Sequence, residues 1–345
     1  MSRAARLTAY SAVSTSLALY DDRALAARVD AAEPLGSGIG GTSALLEVDG
    51  VPVFVKRVPL TDLERSPDAV RSTANLFALP LFCQYGLGSP GFGAWRELAA
   101  HTMTTNWVLA GEYEGFPLMY HWRVLPDATP LPGEFADVER AVAFWGGGPH
   151  VRGRIEGLRT SSASLALFLE YVPRNLHQWL GGRTEIGGEA ADRACAMVER
   201  ELGAGISFMN SRGLLHFDAH FENILTDGRR LFFTDFGLAL SSRFDLSREE
   251  REFFDLHRTY DRCYTTSYLV NWLVTDVYGY GRDDREAQVR ACARGERPTG
   301  VPERAAAILA RDAAVTTVMA DFFRKLRHES RRTPYPLEAI RALAP

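Results

Sequence analysis

Three short stretches of this 345-residue chain carry side chains whose types and spacing suit phosphate chemistry. The first is Gly36-Ser37-Gly38-Ile39-Gly40-Gly41, in which Gly36, Gly38 and Gly41 form a Gly-x-Gly-x-x-Gly. Alone this is weak, because glycine-rich turns are common. A β-rich run follows it, however, whereas a dinucleotide-binding unit would open a helix there. A flexible hairpin without side chains can lay backbone N–H groups over a triphosphate. The second stretch is Val53-Phe54-Val55-Lys56. Of 39 basic residues only Lys56 and Lys325 are lysines, and Lys56 ends an apolar run. A compact ammonium suits the gap between phosphate oxygens, where a planar guanidinium fork does not fit. The third is His216-Phe217-Asp218-Ala219-His220-Phe221-Glu222-Asn223, with Asp235-Phe236-Gly237 twelve residues on.

His-x-Asp-x-x-x-x-Asn is expected by chance with a frequency of about 0.01 in a chain of this composition, so the third signal is strong. Asp218 can accept or orient a substrate hydroxyl. Asn223 and Asp235 offer the oxygen ligands that Mg²⁺ prefers. A zinc reading of His216 and His220 is outweighed: they lie on a loop, with no third ligand in view.

Together these motifs resemble the protein-kinase-like superfamily over about residues 33–260. Phe168-Leu169-Glu170-Tyr171-Val172-Pro173 is similar to the hinge that binds adenine. Met209-Asn210-Ser211-Arg212-Gly213-Leu214-Leu215-His216 is similar to the helix end that leads into the catalytic loop. The resemblance implies an α+β, bilobal fold, with a β-rich N-lobe, an α-helical C-lobe and ATP in the cleft. It assigns Lys56 to the phosphates, Asp218 to catalysis, Asn223 and Asp235 to Mg²⁺, and the backbone of Glu170 and Val172 to adenine. The helix glutamate that should pair with Lys56 is Glu97, 41 residues on, which requires an insertion at 58–92. Glu64 is the rival, in a polar stretch that reads as solvated.

The chain also departs from the pattern. His220 stands where many protein kinases carry lysine, as in the aminoglycoside and choline kinase branch. There it could charge the γ-phosphate site only when protonated, which makes turnover dependent on pH between about 6 and 8. Phe217 replaces the arginine that receives a phosphorylated activation loop, and no Ala-Pro-Glu follows Gly237. Phe54 sits where the family has a small residue against adenine, as though bulky and small positions had exchanged with Ser43 or Ala44.

The elements that must position these groups are legible in outline. Residues 1–32 read as a helical extension. Ala44–Val48 and Val51–Val55 flank Asp49-Gly50, the signature of a tight hairpin. Apolar spacing predicts an amphipathic helix over 95–109, strands over 118–125 and 165–172, and a helix over 136–145. Beyond these come a helix over about 191–212, a hairpin over 224–234, and helices starting near Ser247, 262 and 302. Ser247 with Glu250 makes a capping box. The expected divisions are a 1–32 extension, an N-lobe over 33–170 with insertions at 58–92 and 126–164, and a C-lobe over 171–345.

Composition sets the outer limits. A 46% hydrophobic, 24% charged chain can bury a core, and a net charge of −4 with pI near 6.1 predicts neither nucleic-acid nor membrane binding. The arginines over 323–332 read as a solvated helix end. Four scattered cysteines without a Cys-x-x-Cys pair, and no clean leader, predict a cytoplasmic protein with reduced thiols. The expected function is an ATP-dependent phosphotransferase of Ser/Thr protein kinase type, with a protein acceptor. The alternatives are a small-molecule (antibiotic or metabolite) kinase and a nucleotide-binding pseudokinase scaffold. Oligomeric state is not legible.

Overall fold

The computed structural model describes every residue except 39, 128–132, 278, 280, 298–300 and 344–345, together with all side chains of the described residues but those of 282 and 283. Ile39 of the glycine motif and part of the 126–164 insertion therefore lie outside the described residues. Internal contacts divide this mixed α+β chain into two compact units. One is Met1–Val172 with Asp235–Arg251; the other is Pro173–Thr234 with Glu252–Pro345.

The first unit is built on an antiparallel sheet of order β1-β2-β3-β5-β4. Its strands are β1 (Glu33–Gly38), β2 (Gly41–Val48), β3 (Val51–Leu60), β4 (Met119–Pro126) and β5 (Ala163–Glu170). Asp49 (φ 51°) and Gly50 (φ 75°) join β2 to β3, the two positive φ values that a type I′ turn requires. β5 is buried along its whole length because both faces of the sheet are covered. Helices α1 (Arg3–Leu19) and α2 (Asp22–Asp30) pack on one face, through Val13, Leu17, Leu25 and Val29. Residues 1–32 are thus a layer of this unit rather than an appendage.

The other face carries α4 (Ala94–Ala110), after the single turn α3 (Asp62–Arg65). Trp95 and Leu98 of α4 pack against Val58, Leu60, Leu165, Leu167 and Leu169, with Phe54 at the edge of the cluster. Burying each such large apolar side chain stabilises by about 1.5–3 kcal/mol, which fastens the helix to the sheet. Gly111 ends α4 in the left-handed region at φ 75°, donating to the Trp107 and Val108 carbonyls. Helices α5 (Gly133–Ala136), α6 (Val138–Phe144) and α7 (Pro149–Arg159) form a satellite cluster with Leu79, Cys83 and Phe92. The expected insertion over 58–92 supplies these residues, and it begins regularly: β3 runs on to Leu60 and α3 follows at once.

Asp235–Arg251 groups with the first unit, although the sequence places it in a continuous stretch over 171–345. Its anchors explain this: Phe236 stands edge-on to His101 of α4 with ring centroids 5.0 Å apart, and Asp245 N–H donates to Thr73 Oγ1 at 2.9 Å.

The second unit is largely helical. It contains α8 (Leu176–Ile186), α9 (Gly188–Ser211), α11 (Tyr260–Trp272), α12 (Arg282–Ala293), α13 (Glu303–His328) and α14 (Leu337–Arg341). Helix α10 (Arg248–Leu256) has residues in both units. A small hairpin, β6 (Ile224–Thr226) with β7 (Leu231–Phe233), lies against α9. Gly205 of α9 is required there, since a Cβ would fall 2.1 Å from the buried Phe233 ring. α13 ends in Lys325, Arg327 and His328, cations that favour a helix C-terminus. Among the described residues, no helix is long and apolar enough to cross a membrane.

Candidate active site

Lys56 lies on β3 with its side chain on the α4 face of the sheet, because side chains alternate along a strand and Phe54 and Val58 both join the α4 cluster. Its Nζ donates to Glu97 Oε1 and to Asp235 Oδ1, each at 2.7 Å. The pairing with Glu97 is therefore made directly, despite the 41-residue separation. Glu64 is occupied elsewhere. Its Oε2 accepts from Thr61 N–H in a capping box and from Arg154 Nη1 at 2.8 Å, and its Oε1 accepts from Ala94 N–H at the start of α4. It is buried and ion-paired, not solvated as its polar surroundings suggest.

One ammonium lies between two carboxyl groups, a formal charge of −1 when both are ionised. Burial pulls the Lys56 ammonium down, but Asp235 and Glu97 more than offset this and hold it above the ordinary lysine range. Burial pushes Glu97 up to about 7, opposed by Lys56. Asp235, the more exposed of the two carboxylates at 39%, is the one open to a cation. It is held at φ 60°, a left-handed conformation that aspartate tolerates better than most residues, and Gly237 N–H donates to its Oδ1 at 3.4 Å.

The glycines do not share one role. A Cβ at Gly41 (φ 116°) would lie 1.9 Å from Arg57 O, so this glycine is required by the close approach of β2 and β3. Gly36 and Gly38 meet no such limit. Gly40, which the motif pattern leaves unassigned, comes nearest the chemistry, since a Cβ there would stand 3.1 Å from Lys56 Nζ and 3.8 Å from Asp235 Oδ2. Its missing side chain keeps the space over the ammonium open.

At the end of β5, Glu170 N–H donates to Leu118 O at 2.7 Å, so that donor is already used within the first unit. The Glu170 carboxylate is neutralised by the buried Arg6 of α1, whose Nε and Nη2 donate to it at 2.8 and 2.7 Å. Phe54 packs into the α4 cluster, and its cross-strand neighbour is Leu45 rather than Ser43 or Ala44. Ser43 instead faces Lys56 in the ladder.

In the second unit, the loop after α9 carries Asp218, His220 and Asn223. Asn223 Nδ2 donates to Asp218 O at 3.0 Å and to Asp218 Oδ2 at 3.3 Å. With its donor end committed, Asn223 offers Oδ1, an oxygen of the kind Mg²⁺ accepts. Thr234, the residue before Asp235, donates its N–H to Asn223 O at 3.1 Å and accepts from His216 Nε2 at 3.0 Å. His220 Nδ1 lies 2.9 Å from Glu222 Oε2, and its Nε2 lies 3.8 Å from Asp218 Oδ2. Its ring stacks on Tyr268, whose hydroxyl donates to the same Glu222 carboxylate at 3.2 Å. Among the described residues, no cluster of three or more His, Cys, Asp or Glu side chains is placed to hold a metal ion.

Asp261 has no signal in the sequence. From the first turn of α11 its carboxylate accepts the N–H groups of His216 at 2.6 Å and Phe217 at 2.8 Å, fixing the loop just before Asp218. Burial pushes this carboxyl up to about 6, against the pull of those two donors. Phe217, held at φ 63°, is fully buried and stacks on Tyr260 and on Phe253.

No model of a known protein family matches the chain, and no curated protein is significantly similar to it.

Proposed function

We propose that the chain is an ATP-dependent phosphotransferase of the protein-kinase-like kind, in which the two units form the two lobes of a bilobal fold and both sets of residues serve one Mg-ATP. The observation that carries this reading is the three-way contact of Lys56 with Glu97 and Asp235, made by the two motifs that the resemblance assigns to the nucleotide. A carboxylate and an amide oxygen are each donors of the kind a magnesium ion takes. Asp235 is a partly exposed carboxylate beside the Lys56–Glu97 pair, and Asn223 offers an amide oxygen, so these two would hold it. The ion would neutralise charge on the phosphates.

In this reading the Lys56 Nζ exchanges its bond to Asp235 for one to the phosphate oxygens and keeps its bond to Glu97. Gly40 admits the phosphates over the ammonium. Asp218 takes the proton of the acceptor hydroxyl as its oxygen bonds to the γ-phosphorus. The bond to the β–γ bridging oxygen breaks, and Lys56 retains the ADP product. The acceptor is a serine or threonine side chain of a protein, in line with the hinge, Asp-Phe-Gly and loop lead-in motifs. A second reading, a small amine-bearing alcohol, is favoured by Glu222 and the Tyr268 ring beside His220, a face suited to a cation.

The test is transfer of labelled γ-phosphate from Mg-ATP, with the chain alone, with casein-like proteins and with a panel of aminoglycosides. Label on protein, lost in Asp218→Asn, supports the first acceptor; label on a small alcohol supports the second. Absence of both nucleotide binding and transfer would overturn the proposal.

A further inference from the structure

The residue beside Glu97 on α4 is Arg96, and it is buried together with the carboxylate it meets; their side chains are 2% and 3% exposed. Arg96 Nη2 donates to Glu250 Oε1 at 2.6 Å, and Nε donates to Thr73 O at 2.7 Å. The guanidinium also lies over the Phe92 and Phe244 rings, at 5.1 and 5.7 Å. The other Glu250 oxygen accepts from Ser247 N–H at 2.9 Å, while Ser247 Oγ accepts from Glu250 N–H at 3.1 Å. One carboxylate therefore starts α10 and neutralises a buried cation on the helix that carries Glu97.

The chain between Asp235 and Glu250 is fastened on the way. Phe236 meets His101 of α4, Gln84 Nε2 donates to Leu238 O, and Asp245 N–H donates to Thr73 Oγ1. Breaking one side of a buried ion pair leaves an uncompensated charge, which is strongly unfavourable. Displacing the segment from α4 would do this to Arg96, one residue from Glu97.

We infer that the Arg96–Glu250 pair is a built-in positioning device that holds Glu97 of α4 and the segment from Asp235 in their places around Lys56 without any phosphorylation of residues 238–247. A phosphate group can order such a segment by bringing fixed negative charge to an arginine. Here Glu250 brings that charge permanently. Arg96 and Glu250 are positioning residues, acting through Glu97. The inference rests on the phosphotransferase reading only for its effect on turnover.

The chain's two lysines make a direct test possible. Glu250→Gln keeps the size and the capping oxygen but removes the charge. Acylation of Lys56 by an amine-reactive ester is expected to quicken at least threefold in this variant, with the exposed Lys325 as internal reference. Hydrogen exchange is expected to quicken over 94–103 and 238–247 but not in β5, and Arg96→Lys is expected to lie between Arg96→Met and the unaltered chain. Turnover should fall at least tenfold in Glu250→Gln with the Kd for Mg-ATP changed less than threefold, and phosphatase treatment of the unaltered chain should change neither. A folded Glu250→Gln with Lys56 labelling and exchange as before overturns the inference, as does a tenfold loss of turnover on phosphatase treatment. Should the single variants not fold, Arg96→Met/Glu250→Met replaces the pair by apolar volume, and unchanged Lys56 labelling there overturns it equally. An unaltered chain that transfers no phosphate would count against the phosphotransferase reading alone, and the labelling still decides the role of the pair.

Discussion

Arg6, in the first turns of α1, reaches the last residue of β5 and donates to both oxygens of the Glu170 carboxylate, with Nε at 2.8 Å from one and Nη2 at 2.7 Å from the other. Nη1 and Nη2 also donate to the Glu114 and Phe116 carbonyls, and Leu118 N–H donates to the same carboxylate. The N-terminal helix thus secures the strand end that leads out of the first unit. Removing one partner of a buried, fully hydrogen-bonded ion pair costs about 3–5 kcal/mol. Arg6→Ala is expected to lose stability of that order in urea unfolding. A loss under 1 kcal/mol would show the helix to be dispensable.

Two buried glutamates near the start of α4 are expected to separate cleanly by assay. Glu64 is ion-paired to Arg154 and caps α3, so Glu64→Gln should lower stability by about 1–3 kcal/mol while sparing the chemistry. Glu97 holds Lys56, so on the proposed phosphotransferase reading Glu97→Gln should cut phosphoryl transfer by about 10-fold or more with little change in the unfolding midpoint. Equal effects of both variants on transfer would contradict the division of roles.

Two glycines have steric reasons to be glycine, of different severity. Gly205→Ala drives a methyl into the buried Phe233 ring and should cost about 1–3 kcal/mol, read in the melting of α9. Gly41→Ala meets the Arg57 carbonyl at a positive φ, where no side-chain movement can relieve it, so its loss should be the larger. The reverse order, measured by thermal unfolding, would refute this account of the β2–β3 approach.

Asp261 predicts a pH dependence of stability. The folded chain holds its carboxyl proton up to about pH 6, against an ordinary value of 3.8, because burial disfavours the anion. Between those limits the native state binds more protons than the unfolded one, so this contribution falls as pH rises from about 4 to 6 and is gone above that. The decline corresponds to about 2–3 kcal/mol. Unfolding free energies at pH 4 and 7 should differ by that much more in the unaltered chain than in Asp261→Asn. Parallel pH profiles would remove the assignment.

How much of this was visible beforehand follows from the range of the interactions involved. The β2–β3 hairpin, the α4 helix, β5 and the Ser247 cap depend on neighbours a few residues apart, and period, turn residues and capping pattern determine them locally. The motif residues are local in the same sense, with Asp218 and Asn223 five residues apart on one loop and Asp235 close behind. The covering of one sheet face by α1 and α2, the burial of Glu64, Gly40's approach to Lys56 and the grip of Asp261 on the loop were not visible in that way. Nor were the Arg6–Glu170 and Arg96–Glu250 pairs, whose partners lie 164 and 154 residues apart. A charged side chain looks solvated in sequence whatever its fate. Only when distant segments close around it does desolvation make a partner obligatory, and the partner is whichever opposite charge the packing brings within reach.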